Sequence, residues 1–157
     1  MNVIFSEVIS KNDLVKSFSL RVEVFVKEQG CPIYEEFDEF DEYSRLGKDT
    51  FHFNIINKNE CIGTSRVILK NKDSFESAKI QRVCVAKNFR SKGIGSYMME
   101  KLHTFLLNRN IKDVSLSSQI TAINFYKNLG YIEQGDEYID AGIVHKKMIT
   151  KLNELIF

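Results

Sequence analysis

The sequence predicts an α+β domain in which one mixed, mostly antiparallel sheet of about six to seven strands is flanked by helices. Stretches that alternate apolar and polar residues, typical of strands, are interspersed with stretches whose apolar residues recur every three or four positions, typical of helices. Their order along the chain is β-α-β-β-β-α-β-α-β-β. The 157 residues contain no internal repeat, low-complexity segment or linker, so we expect a single domain over residues 1–157.

The first strand and the first helix are predicted from the N-terminal segment. "NVIFSEV" has the composition of a strand, and Asn12 or Asp13 then supplies the start signal of a helix. Gly30 and Pro32 are expected to end this helix. The apolar residues at helical spacing, which we expect to face the core, are Leu14, Phe18, Val22 and Phe25.

An acidic segment and a hairpin follow. From Glu28 to Glu42 there are seven acids and no base, with Tyr34, Phe37 and Phe40 between them. This composition favours a shaped loop or a short helix over a disordered tail, because aromatic residues at that density usually pack. The stretches "FHFNII" and "CIGTSRVILK" flank the turn "NKNE" and predict an antiparallel hairpin, and "AKIQRVCVA" predicts a further strand.

The second half of the chain starts with a loop that opens a helix, "RSKGIGSYMMEKL". Beyond that helix, "DVSLSS" predicts a strand and "TAINFYKNLG" a short helix that Gly130 caps. Two closing strands, "YIEQGDEYI" and "IVHKKMI", flank the turn "DAG". The apolar face of the helix that the loop opens consists of Met98, Leu102, Phe105 and Leu106.

Composition narrows the classes of partner and compartment. The chain has 22 Lys+Arg against 21 Asp+Glu, a formal net charge of +1, which gives no electrostatic reason to expect a nucleic acid or an anionic membrane as partner. No apolar run approaches membrane-spanning length, and the N-terminal segment lacks the features of a signal peptide. The three cysteines are odd in number, widely spaced and not grouped with histidines, which argues against a disulfide framework and a metal site. We therefore expect a cytoplasmic protein.

The loop that opens the second long helix has the chemistry of a phosphate site. A helix start leaves backbone N–H groups unpaired and carries partial positive charge, so a phosphate bound there satisfies both. Gly93 and Gly95 allow close approach to the backbone. Arg90 and Lys92 add positive charge, and Ser96 adds a hydroxyl. The spacing excludes a P-loop, and it excludes a dinucleotide fingerprint because the third glycine is missing.

On these residues the chain resembles the GNAT family of N-acetyltransferases. In that family a Gln/Arg-x-x-Gly-x-Gly/Ala loop binds the pyrophosphate of acetyl-CoA, and the segment from Arg90 to Gly95 matches it. A later Ala-x-x-x-Tyr-x-x-x-Gly-Phe/Tyr pattern is matched from Ala122 to Tyr131. The chain resembles the ElaA-type branch more closely still, over nearly its whole length. The further matches to that branch are Arg21 to Gln29, the acids Glu35, Asp38 and Asp41, and the late pair His145 and Met148.

The resemblance implies the GNAT fold, with acetyl-CoA as cosubstrate. In the family, backbone groups of the fourth strand pair with the pantetheine arm and polarise the thioester carbonyl, which here concerns Val83, Cys84 and Val85. Gln119 stands where the family often has an asparagine and is expected to contact the cofactor. The expected pyrophosphate loop consists of Arg90, Ser91, Lys92, Gly93, Ile94, Gly95 and Ser96.

Two residues are expected to move protons. Tyr126 stands where the family places the acid that reprotonates the coenzyme A sulfur, and a phenol has a suitable pKa for that step, although the residue also lies on an apolar stripe that would suit a core aromatic. His145, on a closing strand, is the first candidate for the base, because imidazole titrates near neutrality. A lone histidine on a strand is also commonly structural. The alternative bases are Glu28, Glu36, Asp38 and Asp41.

Two strand arginines bear on the acceptor. Neighbouring strands could bring Arg66 and Arg82 together around one carboxylate, which would suit an amino-acid-like or otherwise anionic amine. The alternative is that each arginine pairs with the acidic segment. Cys84 could in principle carry the acyl group, but nothing near it in sequence lowers the thiol pKa, so a small buried hydrophobe is the better interpretation. His52 and His103 are expected to be structural or solvent-facing.

The sequence thus predicts a metal-independent N-acetyltransferase that moves an acetyl group from acetyl-CoA to a primary amine of a small molecule or peptide by direct attack. A homodimer is a family-level expectation. Two alternatives stay open. The acidic segment also resembles that of acyl-homoserine-lactone synthases, which share the fold but use acyl-carrier protein and S-adenosylmethionine, whereas the intact loop favours free coenzyme A. A non-enzymatic acyl-CoA-binding module would keep the loop and need no acid, and the presence of Tyr126 disfavours it.

Overall fold

A seven-stranded sheet forms the centre of the computed structural model, which describes residues 1–72 and 75–153. The strands are β1 (Ile4–Glu7), β2 (Thr50–Asn57), β3 (Glu60–Lys72), β4 (Phe75–Val85), β5 (Asp113–Gln119), β6 (Ile132–Asp140) and β7 (Ile143–Lys151). Their order in the sheet is β1-β2-β3-β4-β5-β7-β6, with β4 and β5 parallel and all other neighbours antiparallel. The predicted α+β fold class is confirmed.

In residues 1–72 and 75–153, four α-helices connect the strands in the predicted order, and the acidic segment contains a short helix, one of the two forms predicted for it. No helix in the described part of the chain has the length and apolar character to cross a membrane. The helices are α1 (Lys11–Arg21), which continues as a π-helix over Val22–Glu28, α2 (Ile33–Glu36), α3 (Ile94–Asn108) and α4 (Ile123–Asn128). Short 3-10 turns occupy Glu39–Asp41, Tyr43–Arg45, Lys87–Phe89 and Ile120–Ala122.

The start of α1 differs from the prediction. The hydroxyl of Ser10, rather than a side chain of Asn12 or Asp13, caps the helix by accepting the backbone N–H of Asp13 at 3.2 Å. The helix therefore begins two residues or so earlier than expected, because serine in extended backbone is as good a cap as asparagine or aspartate. The predicted end is confirmed in kind, since Gly30 lies just beyond the π-helical turn with a φ of 77°.

The buried face of α1 also differs from the apolar stripe that the sequence predicts. Its buried residues include the polar Ser17 and Arg21, whereas Phe18 is only half-buried. Ser17 donates to Asn54 Oδ1 of β2 at 2.6 Å, and Arg21 enters an ionic network described below. A pattern search that follows apolar residues alone cannot find a face that packs through hydrogen bonds.

The two long helices pack on opposite faces of the sheet. On β2 the ring of Phe53 lies 4.9 Å from that of Phe105 on α3, while the next residue, Asn54, bonds to α1. Consecutive strand side chains point to opposite faces, so α1 and α3 must flank the sheet. The α3 face is the apolar one: Met98, Leu102 and Leu106 of the predicted helix stripe are fully buried there.

The parallel pair β4 and β5 separates part of the way along. Their pairing runs only from Ser77 opposite Asp113 to Ile80 opposite Leu116, although β4 continues to Val85 and β5 to Gln119. At the same level β4 bulges against β3, because Thr64 pairs with Cys84 while Arg66 pairs with Gln81. The strand ends beyond Ile80 and Leu116 therefore diverge and leave a cleft in the middle of the sheet.

Candidate active site

The cleft between β4 and β5 holds a cavity of about 740 Å³ that reaches from the start of α3 to β7. Its walls come from the ends of both strands, from the π-helical turn after α1, and from the turn between β6 and β7. Of the residues singled out from the sequence, those lining it are Val83, Cys84, Val85, Arg90, Ser91, Gly93, Ile94, Gly95, Ser96, Gln119, Tyr126, His145, Arg82 and Glu36. Lys92 and Arg66 do not line it.

The start of α3 presents unpaired backbone donors at one end of the cavity. The first N–H to bond within the helix is that of Tyr97, which donates to the carbonyl of Gly93 at 3.0 Å. The N–H groups of Ile94, Gly95 and Ser96 precede that bond and have no acceptor within the helix. Gly93 itself has a φ of 80°, a conformation that a side chain would strain. This end of the cavity can therefore bind an anion.

Arg90 lies beside that helix start but makes internal contacts. Its Nη1 and Nη2 donate to the two carboxylate oxygens of Glu28 at 2.9 and 2.8 Å, and its Nε donates to the carbonyl of Val85 at 2.9 Å. The hydrogen bond from Arg90 is the largest influence on Glu28 and lowers the pKa of that carboxyl. The arginine thus ties the loop to the end of the π-helical turn. Lys92 is exposed, with its Nζ 5.5 Å from the ring of Phe89.

The residues of this loop fit the pyrophosphate of a coenzyme A molecule. The fit rests on the three free N–H groups and on close packing at Gly95, where an added Cβ would lie 3.2 Å from Cζ of Phe125 in α4. Glycine at that position lets α3 and α4 pack closely together, while the loop that precedes α3 stays open to the cavity. The coenzyme would bring the activated acetyl thioester into the cleft.

Tyr126 projects from α4 into the cavity. Its side chain is 8% exposed and meets the rings of Phe125 and Tyr131 edge-on, at 5.0 and 5.9 Å between centroids. Within the described part of the chain no group hydrogen-bonds its hydroxyl. Burial raises the pKa of this phenol well above its usual range, so the hydroxyl keeps its proton and can donate it.

The end of β4 forms the opposite wall. Cys84 and Val85 pair with β3 on one side, Val83 lies in the bulge before them, and none of the three has a β5 partner on the other side, so their backbone groups on that edge face the cleft. Cys84 is buried, and desolvation strongly raises the pKa of its thiol. A thiol that stays protonated is a poor nucleophile, which agrees with the interpretation of Cys84 as a small buried hydrophobe.

His145 is held in one orientation on β7. Its Nδ1 lies 2.7 Å from the carbonyl of Ile143, and because a carbonyl only accepts, Nδ1 carries the hydrogen. Its ring stacks on Tyr138 of β6 at 6.1 Å between centroids and 21° between planes. The Tyr138 hydroxyl in turn hydrogen-bonds the Ser117 hydroxyl. In the neutral ring the lone pair is therefore on Nε2.

Gln119 bridges the two walls of the cleft. It pairs with His145 across β5 and β7, and its Nε2 donates to Oε1 of Gln29 at 2.8 Å. Gln29 lies at the end of the π-helical turn. Gln29, Ser117 and Tyr138 were not among the site residues predicted from the sequence. No local pattern distinguishes them, since their contacts depend on strand register and on the length of the helix.

The two strand arginines contact the acidic segment, which was the alternative interpretation. Arg66 is buried, and its guanidinium donates to Asp38, Asp41 and Gln81 at 2.6 to 3.1 Å. It has no donor to offer an acceptor carboxylate, so the acceptor role considered for it is not carried further. Arg82 contacts Glu36 with Nε, 3.0 Å from Oε1, but its side chain is 23% exposed and borders the cavity.

The carboxylates considered as alternative bases all take part in ion pairs. Glu28 is paired with Arg90 and Glu36 with Arg21 and Arg82, at 2.8 to 3.0 Å. The remaining two are paired with Arg66, at 2.7 Å for Asp38 and 3.0 Å for Asp41. Burial opposes ionisation of Asp41, but Arg21 and Arg66 outweigh it and lower the pKa of this carboxyl to about 2. Burial raises the pKa of Glu36, against the opposing influence of Arg82 and Arg21. A carboxylate that is held by arginines is a poor proton acceptor.

The other two histidines have structural positions. His52 is buried with Nε2 3.2 Å from the Phe40 carbonyl, and burial lowers its pKa to about 4. His103 lies on α3 with Nε2 2.7 Å from the Tyr131 hydroxyl, and burial lowers its pKa to about 4 as well. Neither lines the cavity. Within residues 1–72 and 75–153, no three His, Cys, Asp or Glu side chains come together as metal ligands would.

Comparison with known proteins identifies the family of this chain. Residues 20–152 match the family model described as "Acetyltransferase (GNAT) domain". The uncharacterized N-acetyltransferase YjcF of Bacillus subtilis is 35% identical over 90% of this chain and 96% of its own length. Protein ElaA of Escherichia coli is 34% identical over 92% of this chain and 91% of its own length. The crystal structure of Escherichia coli ElaA superposes with a TM-score of 0.82 and 29% identity over 96% of this chain and all of that one.

A more distant structure shares the fold alone. The CoA-dependent acyl-homoserine lactone synthase BjaI, solved with S-adenosylmethionine and isopentyl-CoA, superposes with a TM-score of 0.78 at 14% identity, over 98% of this chain and 85% of that one. The extent of the family match and the identity to relatives over nearly their whole length decide the assignment. The chain belongs to the GNAT acetyltransferase family, and Escherichia coli ElaA is one of the homologues of this chain.

Proposed function

We propose that this protein transfers the acetyl group of acetyl-CoA to a primary amine of a small molecule or peptide, by direct attack within the cleft between β4 and β5. The observation that carries the proposal is the presence, in one cavity, of an anion-binding helix start, a protonated phenol and an oriented imidazole. The three groups match the three needs of acyl transfer to an amine: a bound acyl donor, an acid and a base.

The start of α3 is the proposed binding site for the pyrophosphate. The N–H groups of Ile94, Gly95 and Ser96 supply the hydrogen bonds, and the helix dipole adds positive charge. Arg90 keeps the loop in place through Glu28, and the two N–H bonds it does not use can still attract a phosphate. Backbone groups of Val83 to Val85 along the free edge of β4 are the proposed contacts for the pantetheine arm and the thioester carbonyl.

Tyr126 and His145 are the proposed acid and base. The Tyr126 hydroxyl holds the proton that a departing thiolate requires, and burial keeps that proton bound across the ordinary range of pH. His145 has its Nε2 lone pair available, since Nδ1 donates to Ile143, and can take a proton from the acceptor amine. Stacking on Tyr138 and the Tyr138–Ser117 hydrogen bond hold the imidazole in that orientation.

The lactone-synthase alternative gains little support. The loop alone does not separate the two classes, because the lactone synthase of the same fold is itself CoA-dependent. The sequence identity between that synthase and this chain is low, however. The acidic segment that suggested the likeness forms ion pairs with Arg21, Arg66 and Arg82. That segment therefore has a structural explanation that requires no second substrate.

The proposal is tested by release of the coenzyme A thiol from acetyl-CoA in the presence of a panel of primary amines, with the product identified by mass spectrometry. We expect thiol release to depend on the amine. The product should be heavier than that amine by the mass of one added acetyl group. Thiol release that is independent of every amine would indicate hydrolysis instead and would contradict the proposal. Acetyl-CoA binding without any thiol release would favour the non-enzymatic module.

A further inference from the structure

The sheet face that carries His145 also carries Lys79. On β4, Ala78 and Ile80 are buried in the core on the α3 side, so Lys79 between them points to the opposite face. On β7, Met148 is in the same core, which places Lys147 and His145 on the opposite face too. Three basic side chains, on the two strands that flank β5, thus share one face.

Strand register fixes the spacing of these groups. Along β5, Ser115 is opposite Lys79, Ser117 is opposite Lys147, and Gln119 is opposite His145. Alternate residues of one strand are about 7 Å apart, so the three levels follow one another at that interval. The level of Lys147 therefore lies between the levels of His145 and Lys79.

This part of the face is open to an incoming molecule. The side chains of α1 and the acidic segment cover β2 to β4, as the contacts of Ser17, Arg21 and Arg66 show. Over β5 and β7 the described residues cover the face less completely: Lys147 is exposed, and Ser117, whose hydroxyl bonds to that of Tyr138, is half-buried. Lys79 is half-buried and lines the active-site cavity.

The charge around Lys79 lacks a balancing anion. No carboxylate of the described residues lies within ion-pairing distance of its ammonium group. Desolvation lowers the pKa of Lys79, and Lys70, Lys147 and Arg82 lower it further, against one opposing influence from Asp140. A half-buried ammonium group among other cations is energetically unfavourable unless an anion binds beside it.

The described acids that line the same cavity do not form an ion pair with Lys79. Glu36 is held by Arg21 and Arg82 at 3.0 Å. Glu35 and Asp140 are exposed residues of the cavity rim. The floor around Lys79 is thus cationic, and the only acids not engaged by an arginine among the described residues of this cavity are at its rim.

We propose that Lys79, together with Lys147 and Arg82, binds an acidic group of the acceptor, so that the substrates are small amines that also carry a carboxylate or a phosphate. This inference rests on the proposed function, since it extends the acceptor site of that reaction. The anion lies at the level of Lys147, between the levels of Lys79 and His145, and the amine points towards Nε2 of His145. Lysines are point charges without the planar fork of arginine, so they accept either anion.

The test compares matched acceptors that differ in charge: L-leucine with L-leucinamide, and O-phosphoethanolamine with ethanolamine. Rates of acetyl-CoA-dependent thiol release are expressed per unprotonated amine, because the amide and the acid differ in amine pKa. We expect kcat/KM to be at least about tenfold higher for the charged member of a pair, mainly through KM. The pair with the larger ratio identifies the anion as carboxylate or phosphate.

Variants assign that preference to the lysine. Lys79→Gln should reduce the charged-to-neutral ratio towards one, Lys79→Arg should retain most of it, and Lys101→Gln, an exposed lysine on α3, should leave it unchanged. Equal rates for charged and neutral acceptors, or a ratio that Lys79→Gln does not alter, would overturn the inference.

A second measurement does not need turnover. Calorimetric titration of L-leucine, L-leucinamide and O-phosphoethanolamine into protein saturated with desulfo-coenzyme A should show binding of a charged amine that Lys79→Gln weakens. Such binding without any acetylation would count against the proposed function and support the inference. Turnover of amines without a preference for charged ones would support the proposed function and overturn the inference.

Discussion

At the scale of single residues, Tyr126 is the proposed acid. Its hydroxyl faces the cleft without a protein partner among the described residues, and burial raises its pKa. We predict that Tyr126→Phe lowers kcat about 100-fold, because the thiolate loses its proton donor, while the Kd for acetyl-CoA changes little. Since the phenol stays protonated, kcat of the wild type should not fall on the alkaline side below about pH 10. Steady-state rates across pH measure both.

Tyr131→Phe is the matched control for that variant. Tyr131 is a buried tyrosine that touches Tyr126, but its hydroxyl is 2.7 Å from His103 and outside the cleft. Its loss leaves a buried imidazole nitrogen unpaired, so we expect about 1 to 3 kcal/mol of lost stability with kcat unchanged. If Tyr126→Phe kept full kcat at every pH, the acid would have to be another group.

His145 depends on its neighbour Tyr138. We predict that His145→Gln lowers kcat/KM about 100-fold at pH 7. Tyr138→Leu, which loses the stacked ring, should lower kcat about tenfold, and Tyr138→Phe, which keeps the ring, should restore most of it. Tyr34→Leu, at a tyrosine 80% exposed, is the control. An unchanged kcat/KM in His145→Gln would assign the base elsewhere.

At the scale of secondary-structure elements, Arg21 holds the acidic segment against α1. Its guanidinium lies 3.0 Å from Glu36 Oε1 and 2.6 Å from Asp41 Oδ1, and it stacks 4.9 Å from the ring of Phe37. Burial opposes the charge, yet the two carboxylates outweigh it and raise the pKa of Arg21. We predict that Arg21→Met costs about 3 to 5 kcal/mol of unfolding free energy, because each of the two buried carboxylates loses one of its two arginine partners.

Urea unfolding measures that cost. Lys16→Met on the same helix removes an exposed ion pair with Asp13 and should cost less than about 1 kcal/mol. Arg21→Lys keeps a charge without the planar fork and should fall between the two. A loss for Arg21→Met no larger than that for Lys16→Met would show that the network adds nothing to stability.

Several elements were predictable from the sequence because their signals are local. The hairpin of β2 and β3 follows from alternation around "NKNE", and the phosphate-type loop from two glycines before a helix. The buried face of α1 was not predictable, because Ser17 and Arg21 pack through partners far away in sequence. Lys79, Gln29 and Tyr138 enter the cleft only through the register of β4, β5, β7 and β6, which no single segment encodes.

At the scale of the whole molecule, two buried histidines on opposite faces of the sheet make stability depend on pH. Burial lowers the pKa of His52 and of His103 to about 4, below the usual value of about 6.5 for an unfolded chain. Between these values the unfolded chain binds more protons, so the unfolding free energy should fall as pH drops from about 6.5 to 4, by several kcal/mol.

Denaturant unfolding from pH 7 to 4.5 measures that slope. Asp41, with its pKa lowered to about 2, loses its own contribution mainly below its unfolded value of about 3.9, so it adds little to the slope over this range. His103→Gln should make the slope shallower, whereas a substitution of the half-exposed Lys112 should not. A free energy of unfolding that is flat over this range would contradict the buried, uncharged state of both rings.

The central claim, that the start of α3 binds the pyrophosphate of acetyl-CoA, is tested most directly by calorimetric titration of acetyl-CoA into the wild type, with desulfo-coenzyme A and adenosine for comparison. Gly93→Ala is the test variant, and Gly47→Ala, a glycine with a similar φ of 77° and equally open surroundings, is its control for backbone strain. We predict saturable binding of both coenzyme A compounds, none of adenosine, and about tenfold weaker binding in Gly93→Ala alone. No binding at millimolar acetyl-CoA, or binding of adenosine equal to that of the coenzyme, would contradict the account.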